Sequence, residues 1–109
     1  MDIDQIKQEI VASLQPLAPE KVILFGSYAS GMPTEDSDID LYIVSREEGV
    51  LATYEDNLRH YRKYARVLRP IKERYPVDII VHTLGMNRVF EKNASSFSRE
   101  IVERGIRLI

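Results

Sequence analysis

The sequence predicts an α/β or α+β sandwich built on a small sheet of about four strands, and three observations carry that prediction. Lys21 to Phe25, Asp38 to Ser45, Val77 to His82 and Ile106 to Ile109 are short runs rich in β-branched and aromatic residues, the signature of strands. Segments with apolar residues three or four positions apart alternate with them and read as helices. Gly and Pro punctuate the junctions, at Pro16, Pro19, Gly31, Pro76 and Gly105. The resulting order is α-β-α-β-α-β-α-β, which buries its apolar faces by layering helices on a sheet. With 109 residues, 44% hydrophobic and 29% charged, the chain is expected to form one domain, 1–109, with a real core and little room for a second module.

Each element follows from local chemistry. Asp4 to Leu14 carries Ile6, Ile10, Val11 and Leu14 at helical spacing, with Asp2 or Asp4 to cap its start. Pro16 and Pro19 end it, and Lys21 to Phe25 is a buried strand. Gly26-Ser27 opens a turn, Tyr28-Ala29-Ser30 is one helical turn, and residues 31–37 (GMPTEDS) form a loop. The second strand is Asp38 to Ser45, and Glu47 to Val50 turns the chain. Leu51 to Leu68 is a long helix with Leu51, Tyr54, Leu58, Tyr61, Ala65 and Leu68 on one stripe, kinked or ended by Pro70. Val77 to His82 is the third strand. Met86 to Phe90 and Ser95 to Glu103 are helical, the latter capped by Ser95 or Ser96 and stopped by Gly105, and Ile106 to Ile109 is a terminal strand.

Composition excludes several functions. There is no cysteine, which removes disulfides, thiolate metal sites and cysteine nucleophiles and suits a cytoplasmic location. The first residues are polar and acidic and no apolar run approaches about 18 residues, so neither a signal peptide nor a membrane span is expected. The net charge of −2 is unevenly spread. From Arg59 to Arg74 seven Lys and Arg face one acid, Glu73, giving +6 there and −8 elsewhere. A helix so charged either is a solvated face or meets a polyanion or an acidic partner.

The stretch from Gly26 to Val44, GSYASGMPTEDSDIDLYIV, carries the chemistry. Asp38 and Asp40 stand two apart at the head of a strand, so both carboxylates point to one face. Two acids aimed at one spot repel unless a cation lies between them. Asp78, alone in the apolar run Val77-Asp78-Ile79-Ile80-Val81, is the third acid such a site needs, because an isolated Asp in that setting is costly to bury without a partner. Rigid carboxylates suit hard divalent cations, and two such ions stabilise both the attacking and the leaving oxygen of an in-line displacement at phosphorus. Gly26 permits close approach of a ligand to the backbone, while Ser27 begins a helical turn whose amides and hydroxyl suit phosphate oxygens. Ser37 and Thr34 are weaker candidates, and Lys21 belongs at the far end of its strand.

These residues resemble the nucleotidyltransferase superfamily of DNA polymerase β, in its minimal stand-alone (MNT) branch. The motif, Gly-Ser-x-Ala-x-Gly followed by Ser-Asp-Ile-Asp-Leu, is matched by Gly26, Ser27, Ala29, Gly31, Ser37, Asp38, Ile39, Asp40 and Leu41, with ten residues between Ser27 and Asp38. The resemblance implies a mixed, mostly antiparallel sheet with helices packed on one side. It implies two Mg²⁺ ions, replaceable by Mn²⁺, held by Asp38, Asp40 and Asp78, and a triphosphate bound at Gly26, Ser27 and Ser37. An acceptor hydroxyl would attack the α-phosphate of a nucleoside triphosphate such as ATP, with Asp78 serving as base or as metal ligand. It further implies an antitoxin whose partner is a helical HEPN-type toxin and which transfers AMP to a tyrosine of that toxin.

Two other functions fit the same chain: a binding module that neutralises the toxin by occlusion, and a small-molecule nucleotidyltransferase of the aminoglycoside-modifying kind, which would require self-association. The basic helix offers a contact for a partner protein or for RNA. Among the remaining polar residues, His60 is expected to be solvated, His82 shares strand parity with Asp78 and could approach the acids, and Tyr42 shares parity with Asp40 and could stack on a base.

Overall fold

Capping and apolar alternation set the elements in the computed structural model, which describes residues 2–109. α1 (Ile3–Leu14) starts at Asp2, whose carboxylate accepts from the Asp4 and Gln5 amides. Thr53, Thr83 and Ser95 do the same for α3 (Tyr54–Lys72), α4 (Leu84–Asn93) and α5 (Ser96–Arg104), each satisfying an amide that a helix start leaves without a partner. α2 (Ser27–Ser30) is a single turn entered from Gly26. The strands are β1 (Lys21–Phe25), β2 (Ile39–Val44), β3 (Val77–His82) and β4 (Ile106–Arg107). They line up as β3-β2-β1-β4, with β1 antiparallel to both β2 and β4, and β2 parallel to β3. The mixed, mostly antiparallel sheet of four strands is as expected. β4 is shorter than the sequence suggests because the Leu108 and Ile109 amides share one acceptor, the Val22 carbonyl, at 2.7 and 3.3 Å, so the ladder bulges there.

Alternation sorts the strand residues onto two faces. Val22, Leu24, Ile39, Leu41, Ile43, Val77 and Ile79 meet Ile6, Ile10 and Leu14 of α1 and Tyr64, Leu68 and Ile71 of α3. Ile23, Phe25, Tyr42 and Val44 face the other way, toward Ile101 of α5 and Leu84 and Phe90 of α4. The one-sided helix layer is therefore true of the two long helices only. β1 and β2 are apolar on both faces, and the short α4 and α5 cover the second one.

α3 departs from expectation in its bounds and its buried stripe. It begins after Thr53 and runs past Pro70 to Lys72. A proline in the last turn removes one amide bond there, and the Glu73 amide still reaches the Arg69 carbonyl at 3.0 Å. The buried residues are His60, Tyr64, Leu68 and Ile71, while Tyr54 is 79% exposed and Leu58 only partly covered. His60 is thus not solvated. Its Nε2 lies 2.8 Å from the Ser45 hydroxyl at the end of β2 and 3.8 Å from the Glu47 carboxylate. Burial pulls its imidazole below the ordinary range, against the opposing pull of Glu47.

Tyr42 is buried as well, at 1% exposure, which removes it as a platform for a base. Its ring stacks on Phe90 with centroids 5.0 Å apart. Its hydroxyl donates to Asn87 Oδ1 at 2.8 Å and lies 2.9 Å from His82 Nδ1, which is left to donate to the Tyr42 hydroxyl oxygen. Tyr42→Phe leaves both groups without this partner, so a loss of about 1–3 kcal/mol is expected. A thermal unfolding scan should show it as a drop of about 4–8 °C per kcal/mol.

Candidate active site

Strand register builds the site. Phe25 at the end of β1 pairs with Asp40, and Asp40 pairs across the parallel ladder with Asp78. Register neighbours project to the same face, with strands about 4.8 Å apart, so Asp40 and Asp78 stand side by side. β2 begins at Ile39, one residue later than the sequence suggests, and Asp38 immediately precedes it. All three acids therefore gather at one end of the sheet, on the face covered by α4 and α5. Asp38 and Asp78 are exposed, and Asp40 is half-buried.

The carboxyls feel one another. Partial desolvation raises Asp38 above its ordinary 3.8, helped by hydrogen bonding to Asp78 and by that residue's charge. Desolvation also raises Asp40, followed by the negative charges of Asp78, Asp38 and Glu100. Glu100 of α5 is the contributor that sequence reasoning missed. It lies 60 positions beyond Asp40, and no local pattern marks it.

Gly26 shapes the opposite wall. Its backbone sits at φ 81° and ψ −156°, a region essentially reserved for glycine. A Cβ built there would collide with the Asp40 carboxylate oxygen and come within 3.3 Å of its Cγ. Ser27 follows, half-buried, and the Ala29 and Ser30 amides of this turn are already used by the Gly26 carbonyl, both at 3.1 Å. Its hydroxyl has no hydrogen-bond partner among the described residues, so it remains available to a ligand. Ser37 is placed differently: its Oγ accepts from the Thr34 amide at 2.8 Å and lies 3.3 Å from Thr34 Oγ1, which fixes the loop leading to Asp38. Phe97 of α5, 41% exposed, stands edge-on to Phe25 at 5.6 Å and gives this end of the sheet an apolar margin.

Lys21 and His82 lie elsewhere. Lys21 pairs with Val44 at the far end of the sheet, as expected, and binds Glu91 at 2.6 Å. His82 also pairs with Val44, four residues beyond Asp78 along β3, and packs edge-on against Tyr42 at 5.2 Å. It does not approach the acids, because shared parity fixes a side chain's face and not its position along the strand.

The donor set suits a hard divalent cation in kind: three carboxylates, two of them held above the ordinary range by desolvation first and by neighbouring acids second, with a glycine leaving room for one. As the side chains stand, no group of three or more His, Cys, Asp or Glu among the described residues is placed to hold a metal ion. Among the described residues no helix is long and apolar enough to cross a membrane.

Comparison with known proteins bears on the family and the fold. Residues 3–108 match the family model of a nucleotidyltransferase domain. A 51-residue stretch is 41% identical to caffeine-induced protein 16 of Schizosaccharomyces pombe (strain 972 / ATCC 24843), covering 46% of this chain and 4% of the length of that curated relative. Among solved structures, a toxin–antitoxin with AMP-PNP superposes with a TM-score of 0.59 at 23% identity, over 94% of this chain and 72% of the other. An MntA–HpeT toxin–antitoxin with two Asp-to-Glu substitutions gives 0.58 at 21% identity, with the same coverage. A protein described as a minimal nucleotidyltransferase gives 0.54 at 24% identity, over 97% of this chain and 95% of that one. At these identities the structural likeness establishes the fold.

Proposed function

Since the chain belongs to the nucleotidyltransferase domain family, we propose that it moves AMP from ATP to a hydroxyl on a partner protein, and that the partner is the toxin of a toxin–antitoxin pair. The observation that carries the reading is the pairing of Asp40 with Asp78, beside Asp38, at the sheet end that Gly26 leaves open. The likeness to toxin–antitoxin structures, one with AMP-PNP, supports the choice of adenine nucleotide and of partner by analogy of fold. The motif resemblance supports a helical HEPN-type partner with a tyrosine acceptor.

Each residue then has a task. Asp38 and Asp40 would hold two Mg²⁺ ions, for which Mn²⁺ would substitute, and Asp78 would complete the carboxylate set. When bound, the ions draw charge from the reacting α-phosphate and the leaving pyrophosphate. The Ser27 hydroxyl donates to a phosphate oxygen, and Gly26 keeps its wall clear for the nucleotide's approach. Ser37 acts through the loop, anchoring the turn that presents Asp38. The acceptor oxygen bonds to the α-phosphorus as the bond to the bridging oxygen of the β-phosphate breaks. The hydroxyl proton passes to a carboxylate oxygen, and Asp78, the most exposed strand position of the set, takes it or serves as the third metal ligand.

The test is transfer of label. Incubation with ATP labelled at the α-phosphate, Mg²⁺ and the co-expressed partner should label the partner, and removal of Mg²⁺ by chelation should stop the labelling. Equal labelling by wild type and by the Asp38→Ala/Asp40→Ala double variant would sink the reading. Toxin neutralisation that survives in that variant points instead to occlusion.

A further inference from the structure

We propose that α3 carries a second binding site, a basic groove that takes the phosphodiester backbone of a nucleic acid. Arg62, Arg66, Arg69 and Lys72 line it around Ala65, with Glu73 at one end. The positions 62, 66 and 69 recur at helical spacing and form one row, about 15 Å long from Arg62 to Lys72 at about 1.5 Å of rise per residue.

Pairing sets this row apart from the other cations. Arg59 and Arg74, at its two ends, bind Asp56 and Glu9 at 3.5 and 2.6 Å. Arg62, Lys63, Arg66, Arg69 and Lys72 between them have no carboxylate within ion-pair distance among the described residues. From Arg59 through Lys72 the helix has no acid of its own to offset them. An uncompensated row of this density concentrates a positive field along one helix, and the field is relieved by a partner bearing regularly spaced negative charge.

The lining decides which polyanion. A protein partner needs an apolar centre for its contact, rich in aromatic and aliphatic anchors. Ala65 is the one apolar residue lining this groove. The exposed large apolar residues are Met32, Val50, Tyr54, Val89, Phe97, Val102 and Ile106, none within the row. Backbone binding to nucleic acid needs no such centre, only cations that displace condensed counterions, and Arg matches phosphate oxygens in pairs. The groove is also separate from the acids. α3 packs on the face built by Leu24, Leu41 and Ile79, whereas Asp40 shares the opposite face with Tyr42. The site therefore stands apart from the nucleotidyl-transfer reading.

Fluorescence anisotropy with labelled single-stranded RNA, an RNA hairpin and duplex DNA tests it, using the full chain over a salt series. Four phosphate contacts give a slope of log K against log salt of about −3.6 on duplex DNA and about −2.8 on single strands. Raising salt from about 50 to about 200 mM should then weaken binding about 150-fold and about 50-fold respectively. The Arg62→Ala/Arg66→Ala/Arg69→Ala variant removes exposed side chains in a residue favoured by helices, so it should keep its thermal transition and its ATP binding while its slope falls to about −1. Binding confined to RNA or to DNA identifies the source of the phosphodiester. A wild-type slope near zero on every probe overturns the proposal. Unchanged nucleic-acid binding in the variant does so too, as does loss in the variant of an acidic protein partner or of self-association without any nucleic-acid binding.

Discussion

Asp40→Asn should stop nucleotidyl transfer, lowering the rate by about a thousandfold or more, and should at the same time make the metal-free protein more stable at neutral pH. The rate loss follows because Asp40 is the central member of the acid set, flanked by Asp78 in register and by Asp38 two residues before it. Losing it leaves too few oxygens to hold a cation pair against water. The stability gain follows from the raised carboxyls. Asp38 and Asp40 lie above their ordinary 3.8 in the folded chain, so folded protein binds more protons than unfolded protein just above that value. Stability carried by these groups is fully present below their unfolded range and is lost as pH rises through their raised values. The variant's advantage in a chelator-containing thermal scan should therefore be seen at pH 7 and vanish in acid. Added Mg²⁺ and ATP should raise the wild-type transition and leave that of the variant where it was. A variant that is less stable than wild type at neutral pH without metal would show that these acids do not oppose one another.

Gly26→Ala is the second large effect, expected to reduce both stability and activity. The backbone at φ 81° and ψ −156° costs a non-glycine residue about 1–3 kcal/mol, or roughly 5–20 °C in the thermal transition of a domain this size. Strain is only half of the argument, because the new methyl group meets the Asp40 carboxylate. Relief requires that carboxylate to move, and a displacement of about 1 Å in such a site costs about a hundredfold in rate. Gly31→Ala separates the two causes. Gly31 has a similar φ of 79°, but nothing lies within 4 Å of a Cβ built on it. It should lose about 1–2 kcal/mol and keep its turnover. Equal loss of activity in both variants would reduce the role of Gly26 to backbone strain.

The acids were legible in the sequence because their signal is local or nearly so. The spacing of Asp38 and Asp40 gives a common face, and an Asp inside Val77–His82 stands out against its apolar neighbours. The family motif then ties Gly26 and Ser27 to the same end of the sheet. What failed to read was cover. Tyr42, His82 and Asp40 share a parity that predicts one face, but only the placement of α4 and α5 decides which of them is sealed. Tyr42 and His82 lie under Phe90, and Asp40 lies at the open end. His60 looked solvated among arginines because its partner, Ser45, lies just past the end of β2 on the other side of a turn. The stripe on α3 shifted because Leu51 and Tyr54 fall before or at the helix start, where no sheet is available to bury them. Glu100 reaches the acids only through the packing of α5 on β1, a contact that periodicity does not encode.

The parallel step between β2 and β3 has a kinetic consequence. Asp40 and Asp78 become neighbours only after the chain has left the sheet at Val44, run through α3 and returned at Val77. Closing so long an excursion is entropically slow, and the last act of that closure brings like charges together. A divalent ion would then have little to grip until the crossover is complete, so its effect belongs on the escape rate from the native state more than on the rate of reaching it.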